Sequence, residues 1–195
     1  MNPWEKTENF EGKVKVYYDN LLSHFKKYKN KIFVESGTFL GNGLQCALDA
    51  GFEKCYSIEI HEHLFDKATL RFQTEIKNNR CKLFHGDSGQ LLMQIIKDLD
   101  SKATFWLDAH ISSNYGDKLG KNCPILDELD LIGFSNLKTH TILIDDLNCF
   151  GKSAHDYITI DQVKNAILNI NSNYQFDLLD AATSKNILVA FIKEE

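Results

Sequence analysis

Apolar residues recur along this chain in two rhythms. Between 11 and 29, Val14, Tyr17, Leu21, Leu22 and Phe25 stand three and four residues apart, which makes one stripe on a helix. Short apolar runs of strand length then follow one another: KIFVE (31–35), CYSIEI (55–60), CKLFH (81–85), ATFWLD (103–108), TILIDD (141–146), YQFDLL (174–179) and NILVAFI (186–192). Helical spacing fills the gaps between the first five, over 43–50, 61–77, 88–99 and 124–132, the last opening on a proline suited to a first helical turn. A further helix over 159–170 precedes the sixth run. Strand and helix in regular alternation predict an α/β fold with a parallel sheet covered by helices on both faces. Only DAATSK separates the last two runs, too little for a helical crossover, so they are expected to pair as an antiparallel hairpin at the sheet edge.

A chain of 195 residues suits one domain with a continuous core. The expected division is an N-terminal helical extension over 1–30 and an α/β core over 31–195, with no repeat or linker between them. The net charge of −5 offers phosphate backbones no attraction, and short runs such as Lys26-Lys27 suit a solvated helix face, so nucleic acid is not an expected partner. Five widely spaced cysteines without a C-x-x-C pair suggest reduced, mostly buried thiols. The opening MNPWEKTENFEGK holds no apolar signal core, and no apolar run approaches the roughly 18 residues of a membrane span. A cytoplasmic location is the expectation.

In such a sheet the carboxyl ends of the strands form the ligand crevice. The first five strands end ESGTFLGNG, IEIHEH, HGDSGQ, LDAHIS and IDDLNCFG, and each carries an acid at or beside that end. Gly37, Gly41 and Gly43 permit a tight turn where the first strand feeds a helix over a ligand, although a glycine-rich turn with no ligand reads the same. The spacing is not G-x-G-x-x-G, and Phe39 stands between Gly37 and Gly41, which counts against a pyrophosphate cofactor. Glu59 lies roughly 20 residues beyond the loop, where an acid accepts from ribose hydroxyls. Asp87 and Ser88 end the third strand, either near an adenine edge or as a cap of the helix that follows. Their joint placement on successive strands favours a nucleoside ligand.

Asp108, Asp145 and Asp146 end the fourth and fifth strands. Adjacent carboxylates after an apolar strand repel unless a positive charge stands between them or solvent reaches them. A hard divalent cation meets that need; a solvent-facing Asp-Asp turn is the alternative, and Asp108 tilts the balance toward the metal.

The element order over about 31–192, with E-x-G-x-x-x-G in ESGTFLG, resembles the class I S-adenosylmethionine-dependent methyltransferases. Their Rossmann-like sheet has seven mostly parallel strands, the last antiparallel. The resemblance is to the metal-dependent small-molecule O-methyltransferases, of the catechol and caffeoyl-CoA type and the macrocin-type sugar enzymes. It implies that Glu35, Gly37, Thr38 and Gly41 surround the methionine part of S-adenosylmethionine, that Glu59 holds the ribose, and that Asp87 and Ser88 lie near the adenine. Asp108 would border the cofactor and also join Asp145 and Asp146 around Mg2+ or another divalent cation, with Asn148 as a secondary contact. His110 falls where these enzymes place the residue that takes the acceptor's proton; a fourth metal ligand or a hydrogen-bonded loop residue are the alternatives. The implied activity is O-methylation of a hydroxylated small molecule, a sugar among the candidates, with ISSNYGDKLGKN as the acceptor-side loop and Tyr115 as a stacking surface. A metal-dependent hydrolase and an inactive nucleoside-binding relative are the competing classes. Phe39 departs from the commonest methyltransferase loop, and the chain leaves little sequence for an added acceptor domain. The N-terminal helix is expected to pack on the domain, with a lid or a homodimer contact as alternatives.

Overall fold

The computed structural model describes residues 8–110 and 121–193. The chain runs α1 (Glu8–Lys27), β1 (Ile32–Ser36), α2 (Asn42–Ala50), β2 (Lys54–Glu59), α3 (Glu62–Arg71), α4 (Gln73–Lys77), β3 (Cys81–His85) and α5 (Ser88–Lys97). It continues through β4 (Ala103–Leu107), α6 (Ile125–Ile132), β5 (Thr141–Ile144), α7 (Ile160–Ile170), β6 (Gln175–Leu179) and β7 (Ile187–Phe191). The strands form one seven-stranded sheet in the order β3-β2-β1-β4-β5-β7-β6. β1 to β5 are parallel to one another, and β7 runs antiparallel to both β5 and β6. The expected hairpin is present, with β7 as its inner strand. Burial explains the choice: ILVAF is apolar on both faces and takes the interior, while QFDLL is largely exposed and takes the edge.

Strand alternation divides the core between the two faces of the sheet. Val34, Ile58, Phe105, Leu107, Ile142 and Ile144 pack with residues of α5, α6 and α7. Phe33, Trp106, Leu143 and Val189 pack on the other face with residues of α1, α2 and α3. From α1, Leu21 and Phe25 are buried there, the Phe25 ring 4.9 Å from Phe33 and 5.4 Å from Trp106. Burial of such side chains stabilises by roughly 1.5–3 kcal/mol each, which fixes α1 against the sheet. All five cysteines are free, and burial pushes the Cys46, Cys81 and Cys123 thiols up to about 12.

The single helix expected over 61–77 breaks at Phe72, which leaves helical geometry at φ −102° and ψ 20°. Phe72 is buried against Gly41, where an added Cβ would lie 2.5 Å from the ring. Beside it Arg71 donates to the Leu40 carbonyl at 2.6 Å. The break thus places a ring and a guanidinium under the loop that follows β1. No helix among the described residues is long and apolar enough to cross a membrane.

Candidate active site

The loop after β1 turns through Gly37 at φ +82° and Gly41 at φ +80°, a region that costs a side chain roughly 1–2 kcal/mol. Gly37 has a second constraint: a Cβ there would lie 2.5 Å from the Asp108 carbonyl oxygen. Phe39 also adopts positive φ, 49°, and its N–H donates to Glu59 Oε2 at 2.7 Å. The other Glu59 oxygen accepts from the His61 N–H at 2.9 Å. A carboxylate has about four acceptor positions, so these two bonds leave about two of them open.

Glu35 is 1% exposed and sits beneath the loop. Ser57 donates to it at 2.5 Å, Thr38 lies 2.5 Å from the same hydroxyl, and a Cβ on Gly43 would lie 2.2 Å from Glu35 Oε1. Burial holds its carboxyl well above the ordinary range. The Glu35-Ser57-Thr38 chain therefore acts on the loop from below. Asp87 is the N-cap of α5 and accepts from the Gly89 N–H at 2.9 Å, with Ser88 buried beside it. The capping alternative holds for Asp87, and the adenine role would use what the cap leaves free.

At the ends of β4 and β5 the acids separate. His110 stands between Asp108 (Nδ1 to Oδ1, 3.3 Å) and Asp146 (Nε2 to Oδ2, 3.1 Å). Burial alone would favour the neutral ring, but hydrogen bonds to both carboxylates, with their charge, raise the imidazolium to about 10. The same contact holds Asp146 below the ordinary carboxylate range, while burial raises Asp108. His110 thus supplies the positive charge that the clustered acids require. Asp145 lies outside this arrangement: its Oδ1 accepts from the Asp146 N–H at 2.8 Å and its Oδ2 from the Tyr17 hydroxyl at 3.0 Å. Burial, then the charges of Asp108 and Asp146, push it up to about 8. Asn148 is exposed, and its side-chain oxygen meets the Cys149 thiol.

One ligand atom each from Asp108, His110 and Asp146 lie within 4.8 Å of one another. The two carboxylates fit a divalent ion such as Mg2+ or Mn2+, and the imidazole would join them only in its neutral form. Tyr115 and most of the acceptor-side segment, 111–120, lie outside the described residues.

Three further residues face this region. Tyr17 comes from α1, where its place on the apolar stripe signals packing alone. Glu128 is 1% exposed on α6, and its position among Ile125, Leu129 and Ile132 at helical spacing was a signal in the sequence. His155 is buried, with its ring 5.0 Å from that of His110, and no sequence pattern marks it.

This strand order, with β7 antiparallel and the crevice at the carboxyl ends of β1 and β4, recurs in solved structures. A protein of Staphylococcus aureus assigned to the caffeoyl-CoA O-methyltransferases superposes with a TM-score of 0.61 at 12% identity, covering 91% of this chain and 83% of that one. The fold is that of the class I methyltransferases. The O-methyltransferase TomG of Streptomyces achromogenes, involved in tomaymycin synthesis and solved with S-adenosylmethionine, gives 0.58 at 10% identity over 100% of this chain and 84% of that one. An O-methyltransferase of Bacillus cereus solved with S-adenosylhomocysteine gives 0.58 at 14% over 98% and 84%. No family model and no curated protein sequence matches the chain. The likeness to these neighbours is one of fold, at 10–14% identity.

Proposed function

We propose that the protein is an S-adenosylmethionine-dependent O-methyltransferase acting on a hydroxylated small molecule, with sugars among the acceptors to test, assisted by a divalent cation. The observation that carries this reading is the contact between the two halves of the crevice. Gly37, in the loop assigned to the cofactor, lies so close to the Asp108 carbonyl that a Cβ would come within 2.5 Å. A cofactor on Glu59 and the β1 loop would then present its reactive end beside Asp108, His110 and Asp146. A hydrolase would leave that loop and the paired acceptor positions of Glu59 without a task.

The cofactor, when bound, supplies an activated methyl group, and a cation held by Asp108 and Asp146 would supply Lewis acidity to the acceptor hydroxyl. This chain's own residues align and deprotonate. Alignment alone contributes on the order of 7–11 kcal/mol in favourable systems. His110 is the base in its neutral form, which a cation held by Asp108 and Asp146 would favour by offsetting their charge; the ring then takes the acceptor's proton and becomes the imidazolium that the two carboxylates hold at 3.3 and 3.1 Å.

Calorimetry tests the first step: S-adenosylmethionine and S-adenosylhomocysteine are expected to bind, and no binding at millimolar cofactor overturns the reading. Methyl transfer from labelled S-adenosylmethionine to a panel of hydroxylated acceptors should stop in EDTA and return with Mg2+ or Mn2+. Transfer indifferent to EDTA would remove the cation and keep the enzyme. His110→Ala should slow transfer by about 10²–10⁴-fold while leaving S-adenosylhomocysteine affinity within about threefold. A His110→Ala rate unchanged from that of the wild type across about pH 6 to 9 would exclude His110 as the base.

A further inference from the structure

Tyr17, Asn20 and His24 lie three and four residues apart on α1, beside the buried Leu21 and Phe25. Each bonds a residue of the chain's C-terminal half. Asn20 Nδ2 donates to the Ala181 carbonyl at 2.9 Å, His24 Nε2 to the Asp180 carbonyl at 2.8 Å, and the Tyr17 hydroxyl to Asp145 Oδ2 at 3.0 Å. The first two bonds tie α1 to the turn between β6 and β7. The third ends in the acid cluster. Because the Asp146 N–H takes the other Asp145 oxygen, each oxygen of Asp145 has its own donor, and Asp145 is not among the three residues whose ligand atoms lie within 4.8 Å of one another. Asp146 adopts φ +56°, and this left-handed turn sends two adjacent carboxylates in different directions.

We propose that Tyr17 is a positioning residue whose hydroxyl keeps Asp145 turned away from a cation held by Asp108 and Asp146, so that the N-terminal helix sets which acids form the metal site. This rests on the methyltransferase reading with its cation. Without the hydroxyl, Asp145 Oδ2 loses its partner in a buried place, and the nearest compensation is the cation. A hydroxyl present only to satisfy packing would have no such effect, because the ring would still fill its space in the Phe variant.

Mn2+ is the probe, titrated into the full chain and followed by electron paramagnetic resonance of the free ion. The wild type is expected to bind one Mn2+, and Asp146→Asn to weaken it at least about tenfold, with Asp145→Asn within about threefold of wild type. Tyr17→Phe should tighten binding by about fivefold, and adding Asp145→Asn to it should cancel that gain, the coupling expected of residues in contact. The proposal is overturned if Tyr17→Phe leaves Mn2+ affinity within about twofold, or if Asp145→Asn weakens it as much as Asp146→Asn. If Tyr17→Phe fails to fold, Tyr17→Leu, which also lacks the hydroxyl, is read in its place against the same twofold limit. A wild type that binds no Mn2+ at millimolar concentration removes the cation and this proposal with it, an outcome distinct from binding that is indifferent to Tyr17.

Discussion

His140 has no exposed surface, and its Nδ1 accepts from the Ala103 N–H at 3.1 Å while its Nε2 meets the Ser135 hydroxyl at 2.8 Å. A proton on Nδ1 would cost the first bond, so the folded state needs the neutral ring. Burial, followed by the charges of Lys102 and Lys138, lowers the ring to about 4. The unfolded chain binds the proton near pH 6.5, so stability is complete above that value and falls as pH drops toward 4, by about 3 kcal/mol. Urea unfolding of wild type and His140→Gln at pH 7 and 4.5 should show wild type losing most of that amount relative to the variant; a pH-independent gap would mean the ring is not held neutral. Glu128 has the opposite sign. Burial raises its carboxyl to about 7, and one of its oxygens has no partner. Stability from this group is therefore complete below the unfolded value near 4.5 and is lost as pH rises through 7, by about 3 kcal/mol. Glu128→Gln should match wild type near pH 4.5 and exceed its unfolding free energy at pH 8. An equal difference at both pH values would place the ionised carboxylate in the fold at no cost.

At the scale of elements, the β1 loop and the turn after β5 offer a controlled comparison. Gly37 and Gly151 share a left-handed backbone, φ +82° and +77°, but an added Cβ meets the Asp108 carbonyl at 2.5 Å in one and nothing within 4 Å in the other. Gly151→Ala should cost only the backbone strain, about 1–2 kcal/mol. Gly37→Ala should cost about 3 kcal/mol or more, since backbone cannot yield as a side-chain tip can. Equal losses in urea unfolding would show that the β1 loop does not press on β4. That contact was hidden in the sequence because its partners lie far apart along the chain, whereas the need for glycine was visible from the turn alone. The strands were legible for a similar reason, since burial on both faces leaves continuous apolar runs. The helix break at Phe72 was not, because the ring packs against Gly41, far back along the chain, while the helical spacing runs through the break undisturbed. Tyr17 was legible as a member of a stripe but not as a donor, because a stripe reports where a ring packs and says nothing of what its hydroxyl reaches. Asp145 and Asp146 read as equivalent until the left-handed turn at Asp146 separated them.

The whole molecule turns on the place where strand order reverses, with β2 and β3 on one side of β1 and β4 and β5 on the other. Glu59 and Asp87, at the ends of β2 and β3, form the half proposed for the nucleoside. Asp108, His110 and Asp146, beyond β4 and β5, form the half proposed for the acceptor. The halves touch through Gly37, yet their hydrogen bonds are separate: Glu59 is engaged by Phe39 and His61, and Asp146 by His110 and Asn186. Cofactor binding should then be separable from the acid cluster. S-adenosylhomocysteine at about 100 times its dissociation constant should stabilise the fold by about 2.7 kcal/mol, a rise of about 5–10 °C in the thermal midpoint for a chain of this size. Measured against each variant's own ligand-free midpoint, Glu59→Gln should lose most of that rise, because an amide cannot accept from two N–H groups and a ribose diol at once. Asp146→Ala should keep it, because the residue makes no bond to the β1 loop or to Glu59. If Asp146→Ala loses the response as fully as Glu59→Gln, the two halves are one coupled site, and the division by strand order does not govern how this chain holds its cofactor.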